Sequence, residues 1–188
     1  CAGLHSDRVA KQHSRSSNQP AIIPFRGTWL TLKDEFKHMV NTNIYPVPDP
    51  SFPWLGVHLT PTMDGEVLLG PNAMLAAKRE GYDRSAFSAR DALDALKHRG
   101  LRRMAWQHLG FGAREMWRDV NVRAYVDALR KYVPSLNPSM IEGRYAGVRA
   151  LAMDETDGMI DDFCFESVGR NVLHVRNAPS PAATASLA

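Results

Sequence analysis

Asn171-Val-Leu-His-Val-Arg-Asn-Ala-Pro-Ser-Pro-Ala-Ala-Thr-Ala-Ser-Leu-Ala188 closes the chain, and its reading decides the fold. Asn171 to Arg176 predicts a short buried strand, Asn177 to Pro181 a turn, and Pro181 onward the first turns of a helix. Proline suits a first helical position: its ring holds φ near the helical value, and its missing N–H would have had no partner there. Small residues at a helix start let a flat ligand or another backbone come close, and free N–H groups at the positive dipole end then point at it. Such a corner either receives an electron-rich group (a phosphate, a carboxylate, a pyrimidine-type carbonyl oxygen) or is an ordinary β–α connection.

Working outward, the composition is that of a globular chain with enough apolar residues for a real core. It is 44% hydrophobic and 23% charged over 188 residues, near one domain's worth of sequence. The net charge of +3 comes from interleaved acids and bases, which gives no reason to expect a nucleic-acid partner. Two cysteines, Cys1 and Cys164, supply neither a disulfide framework nor metal-ligand spacing. No apolar run of about 18 residues is present, so no membrane-spanning helix is expected. A chain that begins at Cys1 and stops at Ala188 inside a helix start is expected to be an internal piece of a longer protein.

Along the chain, Cys1-Ala2-Gly3 predicts a strand end entering a tight turn, Ser6 to Gln12 a short helix, and His13 to Gln19 a polar linker. Ile22 to Leu32 predicts a strand, Lys33 to Lys37 a charged turn, and His38 to Val47 a further strand running into Pro46-Val-Pro-Asp-Pro50. Leu55 to Thr60 and Glu66 to Gly70 flank Met63-Asp-Gly65, a hairpin signature. Lys78 to Tyr82 is expected at the surface. Ser88 is expected to cap a helix, with Asp91 three residues on. Leu93, Leu96, Leu101, Met104 and Leu109 follow at helical spacing with breaks at Gly100 and Gly110. Val122, Val126 and Leu129 mark one face of a later helix. Tyr145–Met153, Asp161–Glu166 and Asn171–Arg176 are strand-like, with Asp157-Gly158 as a turn. Strands, then helices, then strands predict an α+β fold with a mixed or antiparallel sheet.

Arg149, in Tyr145-Ala-Gly-Val-Arg149, sits in an otherwise apolar strand, where a buried guanidinium needs a partner. Either a ligand carboxylate fills its planar fork, or Asp154, Asp161 or Asp162 does. His58 could take a hydroxyl proton or serve as a hydrogen-bonded structural histidine. His174 could reach the same site or fix the turn, and Tyr45 could offer its phenol or simply pack. Arg26 reads as an anion ligand or half of an ion pair, and Arg99, Arg102 and Arg103 as a solvated face. No phosphate-loop, zinc-protease or nucleophile-elbow motif is present, so these signals alone give an anion- or carboxylate-binding domain.

Ile22-Ile-Pro-Phe-Arg-Gly27, Asn43-Ile-Tyr-Pro-Val-Pro-Asp49, Phe52-Pro-Trp-Leu-Gly-Val-His-Leu-Thr-Pro61, Gly70-Pro-Asn-Ala73, Lys78-Arg-Glu-Gly-Tyr82, Ala146-Gly-Val-Arg-Ala150 and His174-Val-Arg-Asn-Ala-Pro-Ser-Pro-Ala-Ala-Thr184 together resemble the L-2-hydroxyglutarate dehydrogenase family. That family lies within the D-amino-acid-oxidase-like group of FAD-dependent oxidoreductases. The resemblance implies a substrate (cap) domain over residues 21–153, flanked by strips of a Rossmann-like FAD domain at 1–20 and 154–188. The G-x-G-x-x-G fingerprint of that FAD domain is absent from this sequence. It implies FAD as cofactor, contacted by Ala2, Gly3, Asn177, Pro179, Ser180 and Ala182. It further implies Arg149 as carboxylate clamp, with Ala150 standing where related oxidases carry proline, and Tyr45 and His174 as substrate contacts. His58 becomes the candidate base for converting L-2-hydroxyglutarate to 2-oxoglutarate. A quinone or an electron-transfer protein would accept the electrons. The expected location is a mitochondrial membrane in a eukaryote, or the cytoplasmic face of the inner membrane in a bacterium. The alternatives are a related 2-hydroxy-acid or amino-acid oxidase, and a non-catalytic carboxylate-binding or assembly module without the FAD domain.

Overall fold

The computed structural model describes residues 2–14, 20–47, 56–156, 158–179 and 185–187. The linker residues 15–19, most of the proline-rich loop and the helix start at Pro181, expected from the sequence, lie outside these.

The elements in chain order are helix α1 (Ser6–Ala10), strands β1 (Ala21–Leu32), β2 (His58–Pro61), β3 (Val67–Gly70) and β4 (Met74–Leu75), helices α2 (Ala89–Lys97), α3 (Arg99–Gln107), α4 (Leu109–Val120) and α5 (Val122–Leu129), and strands β5 (Ile141–Met153), β6 (Cys164–Val168) and β7 (Val172–Asn177). The fold is α+β. One sheet has the order β2-β3-β1-β4 with β5 also paired to β1; β6 and β7 form a second, antiparallel pair. The chain divides into two compact units that alternate along the sequence. Unit 1 comprises Cys1–Phe25, Leu75–His108 and Val148–Ala188, and unit 2 comprises Arg26–Met74 and Leu109–Gly147.

Unit 2 is organised by antiparallel register. Leu59 of β2 opposes Leu69 of β3, which opposes Leu30 of β1. Directly opposed residues share a sheet face. These leucines therefore form one apolar row, which packs with Tyr125, Val126 and Leu129 of α5 in a fully buried cluster. The side chain of Asn121 caps α5 by accepting from the N–H groups of Arg123 and Ala124. The same register sends Thr31, Leu68 and Thr60 to the opposite face. Gly70, at φ +137°, ends β3 where only a hydrogen fits: a Cβ there would lie 2.3 Å from the Tyr125 hydroxyl.

A polar knot ties α4 to β1. Asp119 accepts from the Arg26 guanidinium at 2.7 Å, the Thr28 hydroxyl at 2.7 Å and the Asn72 amide at 3.0 Å, and its backbone carbonyl accepts from Arg144. Glu115 accepts from the backbone N–H of Ala73 and pairs with Arg118. Of the two roles open to Arg26, the structure gives it the ion pair.

Unit 1 has its own buried ionic cluster. The Arg79 fork meets both carboxylate oxygens of Asp7, while Arg8 bridges Asp91 and Asp94. Burial pushes Asp7 up, but the hydrogen bond and charge of Arg79 outweigh it and hold the carboxyl below its ordinary value. Asp91 is likewise held low: its burial is outweighed by the Arg79 backbone N–H and by Arg8.

Several expectations are corrected. Lys78–Tyr82 is not all surface, because Arg79 is buried by its pairing with Asp7. His38–Val47 is not a strand. Asp34–Met39 forms a 3-10 turn, and only Ile44 reaches a ladder, bridging Leu59. Asn41-Thr-Asn43 offers no apolar alternation, and Pro46 has no N–H to give. The helical breaks fall at His98 and His108 rather than at the glycines. Gly100 lies inside α3, where the carbonyl of Asp154 comes so close that a Cβ would sit 2.3 Å from it. Leu93 and Leu96 face solvent; α2 buries Ala95 and the paired Asp91 instead. Ala2 is already helical in φ and ψ, so the described residues before α1 form a 3-10 turn, Gly3–His5, rather than a strand end.

Candidate functional site

Each unit carries its own cluster of candidate residues. In unit 1 the chain start, β7 and the entry to β6 enclose a cavity of about 890 Å³. Its rim includes Ala2, Gly3, His174, Asn177 and Ala178, so the structure brings together four residues singled out from the sequence. Gly3 takes φ +46°, a left-handed conformation that leaves the turn free of a side chain. Phe163 and Phe165 stack at 5.5 Å with planes 10° apart, and Phe165 opposes Val175 across the β6–β7 ladder. Small residues on one side and a flat apolar wall on the other suit the edge of a planar cofactor. Sequence reading missed the Phe163-x-Phe165 and Leu173-x-Val175 pairs; their signal was two-residue alternation in adjacent strands.

β7 is not the buried strand expected. Leu173 and Val175 are exposed and only Arg176 is buried, because α1 contacts the strand while the face that carries Leu173 and Val175 is left open among the described residues. Arg176 donates to Glu166 at 2.8 Å and to the Pro20 carbonyl at 3.1 Å. Glu166 is held below its ordinary value by a hydrogen bond from Ser14 and by Arg176. The Asn177 amide donates to the carbonyls of Ile160 and Asp162, so its side chain fixes the loop and only its backbone is left for a ligand. His174 stacks obliquely on His13, and its buried Nε2 makes no hydrogen bond. Pro179 is half-buried; Ser180 and Ala182 lie outside the described residues.

Arg149 is exposed, not buried, and makes no ion pair with another described residue. It follows Val148 on β5 and, by strand alternation, projects opposite to Ala150, which lines the cavity. Exposure removes the physical need for a protein partner and leaves the guanidinium available to a ligand.

In unit 2, His58 is buried among aromatic rings. Trp29 meets it edge-on at 5.1 Å and Tyr45 lies tilted at 4.7 Å, while Tyr145 stacks on Trp29 at 6.3 Å. The structure thus joins Tyr45 to His58 and adds Trp29 and Tyr145. With Nδ1–H donating to the Gly56 carbonyl at 3.1 Å, the basic lone pair falls on Nε2.

A small-residue turn and an aromatic hairpin lining one cavity in an α+β fold are the features of a protein class that receives flat ligands. The fold is shared with L-α-glycerophosphate oxidase from Mycoplasma pneumoniae, solved with FAD bound, which superposes with a TM-score of 0.56 at 20% identity over 99% of this chain and 38% of its own. The chain belongs to the FAD-dependent oxidoreductase family, whose profile matches residues 1–188. Among its relatives, the mitochondrial L-2-hydroxyglutarate dehydrogenase of Nematostella vectensis is 52% identical over the whole chain and 42% of its own length. L-2-hydroxyglutarate dehydrogenase of Indibacter alkaliphilus is 47% identical over the whole chain and 47% of its own length. The chain therefore spans less than half the length of these curated relatives. Among the described residues no helix is long and apolar enough to cross a membrane.

Proposed function

We propose that the intact protein oxidises the C2 alcohol of L-2-hydroxyglutarate to the ketone of 2-oxoglutarate. One observation carries this reading: the whole chain is about half identical to relatives named for that substrate. FAD, when bound, supplies the hydride acceptor. Ala2, Gly3 and the backbone of Asn177 and Pro179 would hold it, with Ser180 and Ala182 assigned the same role from the sequence. Arg149 would clamp a substrate carboxylate with its two-pronged fork. His58 would take the hydroxyl proton on Nε2 while the Gly56 carbonyl fixes its tautomer. Tyr45 and His174 would offer further hydrogen bonds to the dicarboxylate.

In this reading residues 21–153 form the substrate domain, and 1–20 and 154–188 are strips of the FAD domain. A quinone or an electron-transfer protein takes the electrons. The protein works at a membrane, mitochondrial in a eukaryote and on the cytoplasmic face of the inner membrane in a bacterium.

The test is Arg149→Ala in the full-length, FAD-loaded protein. A fall in kcat/KM of about a hundredfold or more, with bound flavin unchanged, is expected from loss of a bidentate charged contact. Turnover near wild type would remove Arg149 from the site. Preference for L-glutamate over L-2-hydroxyglutarate would overturn the hydroxy-acid reading in favour of an amino-acid oxidase.

A further inference from the structure

Two rows of side chains stand on the face of the unit 2 sheet that turns away from α5. Leu59, Leu69 and Leu30 point to α5, so their neighbours along each strand point the other way. One row runs Tyr45, His58, Trp29 and Tyr145, each ring packed on the next. The row beside it is low. Thr60 opposes Leu68, which opposes Thr31, and Gly143 follows, where a Cβ would sit 3.2 Å from the Thr31 hydroxyl. The rings form a wall beside this floor, and His58 and Thr60 stand two residues apart on β2.

Thr60 carries the feature that points to a ligand. The residue is half-buried, yet its hydroxyl oxygen is shut off from solvent and makes no hydrogen bond. Buried hydroxyls are paired as a rule, since an unpaired one loses its hydrogen bonds to water and gains none. A turn about χ1 exchanges oxygen with methyl and brings the hydroxyl onto the floor.

We infer that Thr60 is a specificity-determining residue: its hydroxyl donates to the distal carboxylate of a 2-hydroxy dicarboxylate whose C2 alcohol lies at His58. Side chains two apart along a strand stand about 7 Å from one another. From C2 to the distal carboxyl carbon a five-carbon chain runs three carbon–carbon bonds, roughly 4 Å when extended. Hydrogen bonds angled up from the floor close the remainder. A 2-hydroxy acid without the second carboxylate leaves the Thr60 hydroxyl unpaired, the kind of difference that separates substrates most strongly. The inference rests on the proposed reading of His58 as the base, and goes beyond it by naming the residue that selects the second carboxylate.

The probes are glutarate and butyrate, which differ in the distal carboxylate, titrated calorimetrically into the full-length, FAD-loaded protein. Wild type should bind glutarate more tightly than butyrate by about tenfold or more. Thr60→Val keeps the shape and drops the hydroxyl. It should weaken glutarate by about tenfold and leave butyrate unchanged, and Thr60→Ser should restore glutarate. The unfolding midpoint of ligand-free Thr60→Val should not fall, because no hydrogen bond is lost. Glutarate binding unchanged by Thr60→Val, or equal weakening of both acids, overturns the inference. So does a midpoint that falls while the two acids stay as well separated as in wild type, which would make the hydroxyl a partner of another part of the protein. Turnover of L-2-hydroxyglutarate with a soluble dye is read separately. Its absence beside a discrimination that Thr60→Val removes strikes the proposed reaction and leaves Thr60 as the carboxylate ligand.

Discussion

In the five-stranded sheet, Leu30, Leu69 and Leu59 line up across three strands and are buried with Tyr125, Val126 and Leu129, whereas in the β6–β7 ribbon Phe165 and Val175 oppose each other and stay in solvent. Local pairing is alike in both, with apolar residues directly opposed on an antiparallel ladder. What differs is the second layer. Where a helix packs directly on the row, the residues hold the fold together; where the opposing residues stand off across a gap, they line a cavity. The same residue types therefore form core in one region and line an open cavity in the other.

The comparison can be broken first at the polar knot that holds α4 on the sheet. Asp119→Ala leaves the Arg26 guanidinium buried without its carboxylate and should destabilise the protein by about 3–5 kcal/mol, measured by urea unfolding. Leu69→Ala removes the middle of the leucine row and should cost about 2–5 kcal/mol, varying with how far the cavity collapses. Gly70→Ala should cost roughly 1–3 kcal/mol through its backbone conformation, and more because its Cβ would strike Tyr125.

Acid should act chiefly on unit 1. Asp7 and Asp91 have folded values below their unfolded ones, so the stability they contribute is complete above the unfolded value of about 3.9 and is lost as pH falls through the folded values. An unfolding midpoint that stays level down to about pH 5 and then declines is expected, and Arg79→Met should flatten that decline.

Much of the covered sheet was legible in the chain, whereas the open ribbon was misread as a buried strand. Ile22–Leu32 reads as a strand because apolar and β-branched residues dominate it. Met63-Asp-Gly65 marks the β2–β3 turn, and Val122, Val126 and Leu129 mark the covering helix. The ionic clusters were not legible, since Arg79 finds Asp7 at 72 residues' separation and Arg26 finds Asp119 at 93. Such distances also hid the buried acids of α4: Glu115 and Asp119 look solvated until their partners are known. Gly100 misled for the opposite reason, because a glycine needed for close approach inside a helix looks like a break. In unit 1 Gly3 and Asn177 were legible as residue types at the turn, but Phe163 and Phe165 were not, because they look like core until their exposure is seen. In unit 2 His58 and Tyr45 were legible, but Trp29 was not, because it looks like core until its neighbours are seen.

The smallest expected effect on stability gives the most direct test. Phe165→Ser with Val175→Ser, in the full-length protein, removes the apolar wall without touching the covered sheet. Exposed positions of this kind usually change stability by less than about 0.5 kcal/mol, or about 1 kcal/mol for the pair. The measurement is the Kd for FAD of the reconstituted apoprotein, taken beside its unfolding midpoint. The account predicts a Kd raised by about tenfold or more with the apoprotein midpoint nearly unchanged. An unchanged Kd, or a midpoint that falls as far as it does for Leu69→Ala, would contradict the assignment of the ribbon as a ligand wall.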